Sequence, residues 1–561
     1  MDCREAVYSN DYYDFISEYK YVHGVAGEIA CVQPLNDRYE IVFTRREKGL
    51  RLNFADYNFY SLPTCLGPLD LPQLEDSGIS RAQTLPTLSL KGKGILLGFL
   101  DSGIDYENRS FRDEDGRSRI EAIWDQTVEY GVPPDGFVYG HEYTGETINR
   151  ALSLNNPQQL VPTGDMTGHG TFITSVAAGS VDRISGFSGA APLSRIAVVK
   201  LKQAKKYIRD FLFIKEDAQA YQISDAMAAV EYLNRMAAQL NMPLVICFGL
   251  GSNYGSHTGR GPLDQMLNQI ALQNRRAVVI AAGNEANRRL HYSGINFETG
   301  KDEWVEIQVG EAVRGFTAEI WAKTPDLYSI EIISPTGERI PRRPPRIGTS
   351  TEYIFVFENT RVTVEYRISD ITSGGELIFI RFDNPTKGIW SIRVFGDVVL
   401  WGQFNIWLTF SGFLSGDVFF IRSNPDTTLT TPSPTESPIT VGAYDSYNNS
   451  IFLPSGRGFP PNGAIKPDFA APGVDIIGAG LNDTLVVKSG TSVAAALTSG
   501  AVALLFEWET LRGSSQFISS VVLKNLLIHG TSTDSARAYP NREWGYGKLN
   551  LFEAFNQYRI T

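Results

Sequence analysis

Five short, nearly continuous apolar runs constrain this chain most: Ile95–Leu100, Ile196–Leu201, Leu244–Phe248, Ala277–Ala282 and Ile439–Tyr444. A strand with one wet face alternates apolar and polar residues, whereas a strand covered on both faces has no reason to. Segments of helical period lie between the runs. Ser224-Asp225 reads as a cap for a helix over Ala226–Leu240, and Gly261-Pro262 as the opening of one over Leu263–Asn274. This alternation predicts a doubly wound α/β domain, a parallel sheet with helices on both faces.

At 561 residues the chain exceeds a single ordinary core. The α/β rhythm occupies 91–296 and returns over 438–561. Between them, 297–437 carries short aromatic or period-two segments, among them Trp304–Val309, Thr317–Trp321, Leu377–Phe382 and Phe404–Phe410, separated by turn residues. That pattern predicts a β-sandwich inserted into the α/β domain, with Thr427–Pro438 as the linker back. Residues 1–90 hold mixed short segments and a Pro- and Gly-punctuated stretch, and read as a small α+β unit with a linker.

Lys and Arg number 51 against 62 Asp and Glu, a net charge of −11. Binding to nucleic acid or an anionic membrane lacks the cationic surface it would need. The N-terminus has neither the basic nor the apolar region of a secretory signal, and no uninterrupted apolar run reaches the ~18 residues of a membrane span. Cys3, Cys31, Cys65 and Cys247 show no metal-type spacing, and Cys247 sits inside an apolar run, as a buried reduced thiol would. The expectation is synthesis in the cytoplasm, a reducing compartment.

Four segments carry candidate chemistry. Asp101 stands where the run Ile95–Leu100 passes into Ser-Gly, at the carboxyl end where α/β sheets place their sites. His169 is the one histidine of six bracketed by glycines, in Gly-His-Gly-Thr. Asn284 closes the run before Glu285, in Ala-Ala-Gly-Asn. Ser492, in Ser-Gly-Thr-Ser, opens an Ala-rich helix whose N-terminus favours developing negative charge. Singly, each has an ordinary reading: a turn, a satisfied histidine, a turn amide, an N-cap. Their conjunction, in this order, does not.

The four motifs together closely resemble those of the subtilase family of serine peptidases, whose triad runs Asp, His, Ser along the chain. The resemblance implies Asp101, His169 and Ser492 as catalytic residues, with Asn284 and the Ser492 N–H as oxyanion donors. It also implies that Gly249, Leu250, Gly251 and Ser252 form a strand that pairs with an extended peptide substrate. Phe172 stands where the family usually has His, Val493 where Met is common, and Ala496-Leu497 where Pro-His is typical. None of these replaces a proton-transfer or oxyanion group. The 68 residues from Asp101 to His169 imply a surface insertion, and the 208 from Asn284 to Ser492 accommodate the sandwich.

This layout resembles the clostridial Csp-type germination proteases, which carry a prodomain, a subtilase domain and an inserted jelly roll. By that resemblance residues 1–90 are a prodomain that assists folding, is cut autocatalytically within Gly78–Leu90, with Gln83 as a candidate position, and can stay bound as an inhibitor. The partners implied are a protein substrate, a cortex-lytic zymogen of the spore, and the prodomain itself. No cofactor is required for catalysis. A structural calcium is compatible with acidic loops such as Asp113-Glu114-Asp115, but no metal ligand is assigned. The competing expectations are a prodomain-inhibited or non-catalytic signalling scaffold of the same fold, or a sandwich that serves as a binding module.

Overall fold

The computed structural model describes residues 3–18, 28–46, 59–68, 76–182, 184–295, 297–342, 349–513 and 517–560. Its centre is a sheet in which Ile120–Asp125, Arg195–Lys200, Leu96–Asp101, Leu244–Phe248, Arg276–Ala281, Ile439–Asp445 and Phe469–Pro472 run parallel, in that spatial order. His141–Thr144 and Ser450–Ile451 add short antiparallel partners. All five apolar runs are strands. Ile120–Asp125, broken by Glu121, was not legible as one.

The absence of alternation has the expected cause. Leu97, Phe99, Val245, Cys247, Ala277 and Val279 point into one core, with the helices His169–Ala178 and Thr491–Leu511. Leu96, Leu100, Leu244, Ile246, Val278 and Ile280 point into the other, with Ile223–Gln239 and Pro262–Ala271. Thr491–Leu511 is long and apolar enough to cross a membrane, yet its apolar stretch is enclosed by the domain and only its C-terminal end is exposed. The first of the expected caps is displaced. Ile223–Gln239 begins before Ser224-Asp225, and Asp225 is buried against Lys202 at 2.8 Å rather than capping.

The insert begins earlier than expected. His291–Gly294 already belongs to a six-stranded antiparallel sheet, which faces a five-stranded one across a shared core of residues such as Ile307, Ile320, Ile378 and Trp390. His291–Gly294, four residues of mixed polarity, gave no strand signal. The segment Thr427–Pro438 is not a solvated linker. It is largely buried because its hydroxyls find partners: Thr435 Oγ1 donates to Asp264 Oδ1 at 3.1 Å, and Ser433 Oγ to the Ala282 carbonyl at 3.4 Å.

The N-terminal unit is a helix, Cys3–Tyr8, on a three-stranded antiparallel sheet of Tyr12–Glu18, Tyr39–Arg45 and Ile29–Pro34. Val25–Val32, an apolar run of the sequence, lies partly outside the described residues. Cys3 and Cys31 form a disulfide, a pairing their spacing had not suggested, while Cys65 and Cys247 are free and buried. The boundary at residue 90 also moves. Ile79–Thr84 is a helix whose Ile79 and Ala82 enter the α/β core, followed by Leu88 and Leu90.

The unit is fastened to the α/β domain by a buried ion pair, Asp14–Lys205, each side chain 2% exposed. Gln222 Nε2 holds the second Asp14 oxygen at 2.7 Å. Burial pushes the Lys205 ammonium down to about 8, against the opposing pull of Asp14. Removing one member of a buried pair strands the other. Asp14→Ala is therefore expected to lower stability by about 3 kcal/mol in urea unfolding; a loss below about 1 kcal/mol would contradict this role.

Candidate active site

Asp101 ends the central strand, so its carboxylate stands at the carboxyl edge of the sheet, 3% exposed. His169 opens its helix, and Nδ1 lies 2.8 Å from both Asp101 oxygens. This pair can meet because of Gly170. A Cβ there would fall 2.1 Å from the Gly103 carbonyl oxygen and 3.1 Å from the Asp101 Cβ, so the helix would be pushed off the turn. Asp101 also accepts from the Ser102 N–H at 2.7 Å, which leaves it oriented toward the imidazole.

A second carboxylate holds this approach in place. Asp165 accepts from the N–H groups of Thr167, Gly168 and Thr171 at 2.8–3.0 Å, and from the hydroxyls of Thr171 at 2.9 Å and Ser102 at 2.8 Å. It therefore ties the start of the His169 helix to the residue beside Asp101. Burial opposes its charge, but the hydrogen bonds outweigh that and hold its pKa below the usual carboxylate value. Neither apolar pattern nor spacing singles out Asp165; its partners come from chain positions 102 and 167–171.

Ser492 is the second residue of the Thr491–Leu511 helix and is fully buried. Its Oγ has no hydrogen-bond partner among the described residues. Gly249 borders both it and the imidazole, since a Cβ there would be 3.1 Å from the Ser492 Cβ and 4.0 Å from the His169 Cε1. Asn284 stands just past the strand Arg276–Ala281. Its Oδ1 accepts from Thr491 N and Thr491 Oγ1, both at 3.1 Å. The amide is thereby oriented with its NH₂ left to donate beside the helix N-terminus, where two N–H sources can meet one anionic oxygen.

Leu250–Gly251 is a strand, and it is occupied. Cys65–Pro68 pairs antiparallel with it, Gly67 opposite Gly251 and Pro68 opposite Leu250, and on its other side meets Tyr221–Gln222. The chain's own segment thus lies as the middle strand of three, in the manner of an added peptide strand. Ser252 does not share this pairing. It exchanges hydrogen bonds with Thr431 of the returning segment, at 3.1 and 2.9 Å, and so supports the strand from behind. The expected cut within Gly78–Leu90 is not favoured by this geometry. Gln83 is packed into the core, donating to the carbonyls of Gly189 and Ala190 at 3.0 and 2.8 Å.

The sandwich also reaches this edge. Glu285, next to Asn284, accepts from the Ser411 N–H at 3.0 Å and hydroxyl at 2.7 Å. Glu319 accepts from the Gly255 N–H at 2.9 Å, and burial pushes its carboxyl up to about 8. No group of three or more His, Cys, Asp or Glu side chains converges as a metal site among the described residues. In the loop of Asp113, Glu114 and Asp115, Asp113 Oδ1 instead accepts the N–H of Arg117 at 2.8 Å.

An Asp–His pair, a serine at a helix N-terminus and an oriented amide, gathered at one edge of a parallel sheet, define the class of Asp-His-Ser hydrolases. The model for the subtilase family of S8 peptidases matches residues 92–309 and 415–547, more than half of the chain, and the gap falls within the sandwich. The chain belongs to the subtilase family. The solved structure of the Clostridium perfringens CspB protease is similar, at 30% identity and a TM-score of 0.76, covering 87% of this chain and 99% of that one. A subtilisin-like protease of Arabidopsis thaliana, SBT3.10, is 23% identical over 74% of this chain and 55% of its own length. Another, SBT3.18, is 33% identical over 21% of this chain and 18% of its own. The chain thus spans about half or less of the length of these plant relatives.

The lowered pKa of Asp165 makes this carboxylate a stabilising group whose effect depends on pH. Its contribution to stability is complete above the unfolded carboxylate value of about 4 and is lost as pH falls through the lower folded value. Asp165→Asn is expected to flatten the stability profile below about pH 4 and to cost about 1–3 kcal/mol at neutral pH. Denaturant unfolding across the pH series checks this; an unchanged acid limb contradicts it.

Proposed function

We propose that this chain is a serine endopeptidase that cuts its own N-terminal unit from the α/β domain and then acts on a protein substrate. The observation that carries the reading is the occupied strand at Leu250–Gly251, which leads straight toward Ser492. Ser492 Oγ attacks the scissile carbonyl while His169 takes its proton, and Asp101 steadies the imidazolium that results. The negative charge that develops on the carbonyl oxygen meets the Asn284 amide and the Ser492 N–H. Collapse expels the amine, protonated by His169, and leaves an acyl-enzyme that water then hydrolyses with His169 as base. No cofactor enters any step.

The register supports one cut site. Gly67 and Pro68 stand opposite Gly251 and Leu250, and Gly249, the next position on that strand, is the one against Ser492. The bond after Leu69 is therefore the first candidate, within 69–75 rather than 78–90. A segment that fills the cleft also supports a resting state inhibited by the N-terminal unit. Likeness to the CspB protease supports a finer role of the Csp type: limited proteolysis of a spore cortex-lytic zymogen.

Intact masses of the wild-type and Ser492→Ala chains test the reading. Wild type is expected to yield a fragment ending within 69–75 while the variant stays whole; two whole chains would overturn it. On a short peptide, Asn284→Ala is expected to lower kcat by about 10²–10³, as loss of the corresponding amide does in subtilisin. A change of less than about threefold would remove Asn284 from the oxyanion site.

A further inference from the structure

The strand in the cleft is anchored well before it reaches Ser492. Tyr60 precedes it by five residues, and its hydroxyl lies 2.9 Å from Ser256 Oγ and accepts the Ser256 N–H at 3.1 Å. Two glycines make room for the ring. A Cβ on Gly261 would fall 3.0 Å from Tyr60 Cε1, and one on Gly255 would fall 3.4 Å from its hydroxyl. Another wall is Trp321 of the sandwich, its ring centroid 6.5 Å away. Trp321 is itself pinned, because its Nε1 donates to Glu319 at 2.8 Å and the same carboxylate holds Gly255. Ser256, Trp321 and Glu319 are all buried. Burial keeps the Tyr60 phenol neutral, able both to donate and to accept.

We infer that this cradle is a subsite for a tyrosine side chain on the protein substrate, far upstream of the scissile bond and built jointly by the cleft loop and the sandwich. The inference rests on the peptidase reading above, and Tyr60 marks the subsite's occupant in the uncut chain. The chemistry is specific. Ser256 offers an N–H and a hydroxyl to a phenol that no aliphatic side chain could satisfy, while Trp321 and the glycine-lined wall fit a flat ring. With the cut after Leu69, the preferred substrate carries tyrosine nine residues before its scissile residue. The sandwich would thereby read substrate as well as support the cleft.

The test sets two peptides against each other in one tube with the full wild-type chain. Both carry the sequence of 59–74, with Tyr or Ala at the position of Tyr60. The ratio of their consumption is unaffected by how much of the cleft the N-terminal unit blocks. The expected preference for Tyr is about tenfold or more, with Phe between, since both a ring contact and a hydroxyl bond are lost in the Ala peptide. In the Trp321→Ala chain the preference is expected to fall to about two- to threefold or less. Equal consumption of both peptides by wild type would overturn the subsite while leaving the peptidase intact. If neither peptide is consumed, whether because the N-terminal unit stays in the cleft or because the peptidase reading fails, the subsite is judged in the uncut Ser492→Ala chain. There, adding Tyr60→Ala is expected to speed hydrogen exchange of the Leu250 and Gly251 amides about tenfold; unchanged exchange would overturn it.

Discussion

Everything chemical in this molecule depends on the close approach of one helix N-terminus to one strand end. The His169 helix descends onto the turn after Asp101 because Gly170 has no side chain to meet the Gly103 carbonyl, and the two ring-to-carboxylate distances of 2.8 Å follow. Asp165 keeps the approach by gathering donors from both sides of it. Ser492 and Asn284 arrive independently, from a helix and a strand that share the Thr491 contacts. The sheet's two-sided burial gives the edge its rigidity, and the edge gives the side chains their positions.

Around that edge, two further bodies are built into the cleft. The N-terminal unit shares cores with the α/β domain, is tied by the Asp14–Lys205 pair, and ends in a strand laid where a substrate would lie. The sandwich supplies Ser411 to Glu285, beside the Asn284 amide, and Glu319 and Trp321 to the loop that follows Leu250–Gly251. Its contacts with this edge join an apolar cluster, in which Trp321, Trp407 and Phe410 pack with Tyr254, to buried hydrogen bonds, and burial is where such bonds fix geometry most firmly. An insertion of this kind is therefore part of the cleft.

Legibility in the sequence followed the physics. Five strands of the parallel sheet announced themselves as apolar runs, the four-residue Phe469–Pro472 did not, and the sandwich strands showed through their alternation. Ile120–Asp125 was hidden by Glu121, and His291–Gly294 by its brevity. Asp101, His169, Asn284 and Ser492 were legible because glycines and small residues crowd around them for steric reasons. Asp165 was not, since its role is a set of hydrogen bonds to residues near and far in the chain. The Thr427–Pro438 stretch misled, because Thr, Ser and Pro suit a solvated linker as well as a buried segment whose hydroxyls bond the main chain. The strand Cys65–Pro68 carried no mark of its destination, for pairing by the main chain leaves little trace in side chains.

The central claim is that Ser492 and His169 act as one unit. The most direct measurement is the rate of short-peptide hydrolysis by the Ser492→Ala chain, the His169→Ala chain and the chain with both substitutions. Residues acting as a unit are non-additive, so each single substitution should abolish nearly all turnover and the double should lower it no further. Independent losses that multiply in the double variant, or a His169→Ala chain that keeps wild-type turnover, would contradict the account.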